Sequence, residues 1–242
     1  MKLSDSGITT KGLAVDESDV VRGKYQTPDT GLYAAKIDMA WTYKSPGGSQ
    51  QFMVNFVGTD SNWNVTQRYS LTNKKGENFS VRDGIQRALP GFSNADNLVK
   101  LLTGQSITDI DFEPKMVPMY DFDAGEKVPK ELQVAMGLVG KELQVALVKK
   151  IENKRKNVDG KWINGPDKKE FCEVDKAFDK EGRTLAEAKA GAEPVFKDRW
   201  LQANEGRIDD SYVPPATTGA PQPGAPAIPA AGAPTPPLFP QD

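Results

Sequence analysis

Apolar and polar positions begin to alternate at Gly31, and from there to Thr72 the chain reads as successive strands. Over 32–43, Ala35, Ile37, Met39, Trp41 and Tyr43 share one predicted face, and Lys36, Asp38 and Thr42 the other. Ser45-Pro46-Gly47-Gly48 is a turn. Over 51–57, Phe52, Val54 and Phe56 face away from Met53, Asn55 and Val57. After the turn at Thr59 to Asn62, a third strand sets Val65, Tyr69 and Leu71 against Thr66, Arg68 and Ser70. Asn73-Lys74-Lys75-Gly76 then makes a basic hairpin turn into a short strand over 78–81.

The period changes after Leu89-Pro90-Gly91-Phe92. Ser93 and Asp96 have capping-box spacing, Leu98, Leu101 and Leu102 give a helical stripe, and Gly104 is a stop. Residues 107–120 read as extended and interrupted by proline, which suits an edge strand or a crossing loop. A further strand over 140–151 presents Leu143, Val145 and Leu147 on one face, then continues into a long polar arm from Lys149 to Lys169. The arm turns at Asp159-Gly160, beside Trp162, and the chain returns as a strand over 171–178. Thr184 and Glu187 form a second capping box, and Pro194 opens a last helix over 195–203 with Phe196, Trp200 and Leu201 as its apolar positions. The order of elements predicts a mainly β, OB-fold-like Greek-key barrel with an inserted helix, followed by short helices; a β-sandwich is the competing all-β arrangement.

Composition divides the chain into three parts. Residues 1–24 are polar and aperiodic and read as a flexible arm, residues 25–206 as the folded domain, and residues 207–242 as a disordered Pro/Ala-rich tail. The tail has too few large apolar side chains to offset the entropy of ordering it. It ends on Leu238-Phe239-Pro240-Gln241-Asp242, an apolar hook with a carboxylate beside it, and Leu238, Phe239, Pro240 and Asp242 are its candidate partner-binding residues.

Charge and residue types narrow the chemistry. The formal net charge is -2, so the distribution of charge matters more than its sum. There is no histidine, the commonest general base and metal ligand. The single Cys172 lies in a strand-like run and reads as a packing residue. Carboxylate pairs occur at Asp109 and Asp111, Asp121 and Asp123, and Asp209 and Asp210, without further ligands nearby in sequence. No phosphate-cradling glycine loop or nucleophile elbow is present. The expectation is a non-enzymatic protein without cofactor or metal. No run approaches membrane-spanning length, and a cytoplasmic location is expected, where the glycosylation-like Asn64-Val65-Thr66 and Asn78-Phe79-Ser80 would carry no meaning.

The positive signal is basic residues interleaved with aromatics. Tyr69, Lys74, Lys75, Phe79, Arg82 and Arg87 fall in one stretch; Lys154, Arg155, Lys156 and Trp162 fall in the second arm, with Lys149, Lys150, Lys161, Lys168 and Lys169 around them. Cations that follow a phosphate backbone, together with aromatic faces that stack on unpaired bases, are what a single-strand binder requires. Trp41, Tyr43, Trp63, Tyr69, Phe79 and Trp162 are the stacking candidates. Arg68, Lys74, Lys75, Arg82, Arg87, Lys154, Arg155 and Lys156 are the phosphate candidates, Arg68 because it lies on the polar face of its strand. Lys-rich hairpins also serve as edge protection, and Trp41 and Tyr43 also suit a core.

Several runs, in order, carry a family likeness. They are Tyr69-Ser70-Leu71-Thr72-Asn73-Lys74-Lys75-Gly76, Leu89-Pro90-Gly91-Phe92 with Leu101-Leu102-Thr103-Gly104, and Leu138-Val139-Gly140-Lys141-Glu142-Leu143. Glu173-Val174-Asp175-Lys176-Ala177-Phe178, Gly182-Arg183-Thr184-Leu185-Ala186-Glu187-Ala188 and Phe196-Lys197-Asp198-Arg199-Trp200 follow. This order, over about residues 25–206, resembles bacteriophage single-stranded DNA-binding proteins that assist replication and recombination. The resemblance implies an OB-fold that holds the strand, a tail that recruits phage replication or recombination proteins, and residence in the cytoplasm of the infected bacterial host. Such proteins commonly end in an acidic run before the apolar tip; here only Asp242 and the terminal carboxylate are anionic at the tip. The rival expectation is a phage structural or assembly protein whose tail docks to a partner.

Overall fold

A computed structural model describes residues 27–121, 125–158 and 160–214. The segment 1–24 and the tail tip with Leu238, Phe239, Pro240 and Asp242 lie outside the described residues.

Three strands open the fold as an antiparallel meander: β1 (Gly31–Lys44), β2 (Gln50–Gly58) and β3 (Asn64–Ser70). A separate two-stranded hairpin follows, β4 (Phe79–Arg82) and β5 (Ile85–Ala88), and then α1 (Pro90–Thr103). A second hairpin, β6 (Glu113–Asp121) and β7 (Glu126–Val134), leads through a 3-10 turn at Met136–Leu138 into the longest pair, β8 (Glu142–Val158) and β9 (Lys161–Phe178). Helices α2 (Leu185–Ala190) and α3 (Val195–Asn204) precede a short β10 (Ile208–Asp210).

The sheet is organised around β8 and β1. One edge of β8 pairs with β9, while its other edge pairs with β1 as far as Leu147 and then, in parallel, with β10 from Lys149 to Ile151. At the far end of β1, Trp41 and Thr42 pair with β7. The expected closed barrel is not formed. Strands β3 and β9 share no ladder, and one side-chain bond, Val174 N–H to Gln67 Oε1 at 3.0 Å, crosses between them. A cavity of about 260 Å³ lies beside this gap, lined by Tyr69 of β3, Leu98 and Leu101 of α1, Val174 and Ala177 of β9, and Leu185 of α2.

The main core lies on one face of the sheet, with Ala35, Ile37, Phe52, Val54, Phe56, Leu143, Val145 and Leu147 packed beneath Leu98 and Val99 of α1. Burying each Val, Leu, Ile or Phe among them contributes about 1.5–3 kcal/mol. A smaller cluster on the opposite face joins Leu32, Ala146, Val148 and Phe178 to Trp200 of α3, whose Nε1 donates to Asp175 Oδ2 at 2.7 Å.

Several sequence expectations shift in place. Helix α1 starts at Pro90, three residues before the expected capping box, with Leu89 at the N-cap and no side-chain cap. Proline suits the first helical position because it lacks the amide hydrogen that would go unpaired there. Asp96 therefore sits inside the helix and ties down the loop behind it: Oδ1 accepts from Ser106 Oγ at 2.7 Å and from Ile107 N at 3.0 Å. The Thr184–Glu187 capping box forms as expected. Within the segment read as the tail, residues 208–211 are bonded to β8, through the β10 ladder and the Ser211 amide, and residues 215–242 lie outside the described residues.

Candidate nucleic-acid interface

A bulge in β1 sets the outer face of the sheet. The β1–β2 register shifts between Ile37 and Met39, so Asp38 has no backbone register partner on β2, although its Oδ2 accepts from Asn55 Nδ2 at 3.0 Å. Ala35 and Ile37 point into the core, and beyond the bulge Ala40 takes the inward position. The face predicted to run from Ala35 to Tyr43 is thereby split. Met39, Trp41 and Tyr43 move to the outer face, because one extra residue inverts every later side chain. Across β1, β2 and β3 this face carries rows Tyr43–Gln51–Ser70, Trp41–Met53–Arg68 and Met39–Asn55–Thr66. The polar rows are cross-linked: Ser70 Oγ donates to Gln51 Oε1 at 2.9 Å, and Thr66 Oγ1 to Asn55 Oδ1 at 3.1 Å. Arg68 is exposed and Tyr43 half-buried, so both reach solvent on this face. Trp41 belongs to the same face but is only 5% exposed, opposite the buried Val134 of β7.

At one end of the sheet, the turn after β3 displays cations. Asn73 Oδ1 accepts from the N–H groups of Lys75 and Glu77 at 2.8 and 3.0 Å, which leaves Lys74 and Lys75 on the outside. The β1–β2 turn lies against it, with the Gly48 Cβ position 3.5 Å from the Lys74 carbonyl. The β4–β5 hairpin stands beyond. Its Asp83-Gly84 turn has positive φ at both residues, 54° and 75°, a requirement of the tight type I′ hairpin. Arg82, Ile85 and Arg87 share one face of the hairpin, and both arginines are exposed; Phe79 is half-buried at its base on the other face.

At the opposite end, β8 and β9 run past the start of β1 as a projecting arm. Near its root the lysines are matched by carboxylates: Lys149 with Asp29 and Glu170, Lys150 with Glu173, and Lys169 with Glu152. Further out, Lys154, Arg155, Lys156 and Lys161 are exposed and have no ion-pair partner among the described residues. Trp162 is 68% exposed, more than any other aromatic side chain described. It pairs with Asn157, so it shares a face with Arg155 and Asn164, while Lys156, Val158, Lys161 and Ile163 take the other face.

The remaining aromatic candidates are core. Trp63 is 3% exposed and meets Tyr33 edge-on at 5.9 Å between centroids; Tyr69 stacks on Phe52 at 6.4 Å. Neither ring offers a face to a base. Burial also pushes the Tyr69 hydroxyl pKa up. Tyr69 sits inward in register with Phe52, and Trp63, just before β3, is held by the Gly58 N–H, which donates to its carbonyl at 3.0 Å; sequence alternation over Trp63, Val65 and Tyr69 carries that signal. Two features escaped the sequence reading: the β4–β5 hairpin, marked by Asp83-Gly84, and Asn153, a buried polar residue inside the arm.

Other chemistry is not assembled. Cys172 is buried, its thiol donates to Pro28 O at 3.0 Å, and burial pushes its pKa up to about 11, so it stays a thiol at neutral pH. Among the described residues no three acidic or sulfur ligands come together as a metal site, and no helix is long and apolar enough to cross a membrane. In comparison with known proteins, the chain matches no family model and no curated protein.

Proposed function

We propose that this protein binds single-stranded DNA with little sequence preference, as a non-enzymatic accessory of phage DNA replication, recombination or repair in the infected host's cytoplasm. The observation that carries the reading is the outer half of the β8–β9 arm. There an exposed Trp162 shares a face with Arg155, amid cations that no described carboxylate neutralises. A base stacked on such a ring contributes about 1–3 kcal/mol whatever its identity. We read the succession β1–β2–β3, α1, β8–β9, with the β4–β5 and β6–β7 hairpins inserted on either side of α1, as OB-like without the closing ladder. In OB-folds the face of the second and third strands and the flanking loops take the oligonucleotide. By that analogy the strand crosses the outer face past Tyr43 and Arg68, between the Lys74–Lys75 turn and the arm. The apolar tail tip would recruit phage replication or recombination proteins.

Binding of labelled oligothymidine and duplex DNA, with and without magnesium, tests this. The single strand is expected to be preferred, uncleaved, and bound with an affinity that falls steeply with salt. Changing Lys154, Arg155 and Lys156 together to Ala should reduce the salt slope by about 2, at roughly 0.7 per phosphate contact on a single strand. Trp162→Ala should weaken binding with little change in slope. Absent or salt-independent binding overturns the reading.

A further inference from the structure

The root of the arm is a structural weak point. Past Leu147 strand β8 leaves β1, and the ladder to β9 breaks between Asn153 and Arg155. Asn153 stands opposite Lys168 and Arg155 opposite Asn164, so Lys154 alone faces Gly165, Pro166 and Asp167. Gly165 lies so close that a Cβ there would sit 2.6 Å from the Lys154 carbonyl oxygen. A two-stranded ribbon is marginal without further packing, and a bulge bends it.

The residues after β10 fill this break. Ser211 N donates to Ile151 O at 2.8 Å. Asn153 is 5% exposed and spends its carboxamide on backbone: Oδ1 accepts from Val213 N at 2.9 Å, and Nδ2 donates to Val213 O at 2.8 Å and Gly165 O at 2.9 Å. The Tyr212 hydroxyl donates to Pro166 O at 2.8 Å, and Lys168 Nζ stands 4.8 Å above its ring. Residues 211–213 are thus bonded to β8 on one side of the break and to β9 on the other. From these contacts we infer that Asn153 and Tyr212 are positioning residues, which brace the arm through the C-terminal segment and aim Arg155 and Trp162 at the bound strand. The inference rests on the single-strand-binding reading.

Two variants of the full chain test it, Asn153→Ala and Tyr212→Phe, each read by amide hydrogen exchange and by oligothymidine affinity across a salt series. In Asn153→Ala, exchange over residues 154–164 should rise on the order of tenfold, as at least one net hydrogen bond is lost. Its salt slope should fall by up to about 3, because four arm cations contribute roughly 0.7 each. Tyr212→Phe keeps the ring and should move both readouts the same way by less. A residue that only fills space would lower the melting temperature and leave the slope alone. Unchanged exchange overturns the inference, and so does raised exchange with an unchanged slope, since the arm would then be held without being aimed. Tyr212→Phe decides by the same two criteria if Asn153→Ala does not fold. If the unaltered chain fails to bind oligothymidine, the DNA-binding reading falls, and with it the aiming role; exchange then shows separately whether the brace exists.

Discussion

Single side chains in this fold do work that their sequence neighbourhood does not announce. Asp96 has the spacing of a capping residue, yet it lies within α1 and holds the loop at Ser106 and Ile107. Desolvation pushes its pKa up, but hydrogen bonds from Lys100, Ser106 and the Ile107 amide outweigh this, so its carboxyl sits below the ordinary value. A carboxylate whose folded pKa is depressed stabilises the fold above the unfolded value, near 3.9, and loses that contribution as pH falls through the folded pKa. Asp96→Ala should therefore cost about 1–3 kcal/mol at pH 7, the penalty for stranding buried donors. The gap between wild type and variant in urea unfolding should narrow as pH drops below about 4. A gap independent of pH between 7 and 3 would show that the charge on Asp96 contributes nothing.

Elements are placed by close approaches as much as by propensity. The first turn of α1 presses on the end of β3, where a Cβ on Gly91 would stand 2.4 Å from Ser70 O and 2.8 Å from Ser70 N. Both obstacles are backbone, so Gly91→Ala has to shift the helix and should destabilise by about 1–3 kcal/mol. A fall in urea midpoint with an unchanged denaturant slope would check this; an unchanged midpoint would show that α1 docks more loosely. Legibility in the sequence follows the same logic. Strand β2 was readable because Phe52, Val54 and Phe56 alternate without interruption. Past residue 37 alternation misplaces the faces of strand β1, because it cannot reveal that Asp38 is skipped in the backbone register. Strand β7 sets Val128, Leu132 and Val134 on one face, but Pro129, Lys130 and Glu131 interrupt that alternation, and the strand is held by its ladder with β6. Strand β10 carries two aspartates in three residues and forms only because β8 offers it a free edge past Leu147. In the candidate interface the arm and its cations were legible as charge and aromatics in sequence. The exposure of Trp162 was not, since alternation can mark Trp63 as inward but cannot tell that the strand carrying Trp162 has left the sheet.

At the scale of the molecule, charge is segregated rather than abundant. A net charge of -2 hides two basic regions, the Lys74–Lys75 turn with the β4–β5 hairpin and the β8–β9 arm, at opposite ends of the central sheet. Strand β1 alone separates them by up to about 40 Å at roughly 3.3 Å per residue, several Debye lengths at physiological salt. Regions so far apart have no direct electrostatic coupling, and substitutions there should add. With an oligothymidine long enough to bridge the sheet, Lys74→Ala with Lys75→Ala should lower the salt slope by about 1.4, and the triple arm substitution by about 2, each contact counting roughly 0.7. All five together should lower it by the sum. An oligothymidine too short to bridge both ends engages one region at a time, so the two sets should no longer add there. Additivity at every length would mean that even the short strand touches both regions, which the span of β1 forbids for a single chain. That result would replace the path along the outer face with binding shared between copies of the protein.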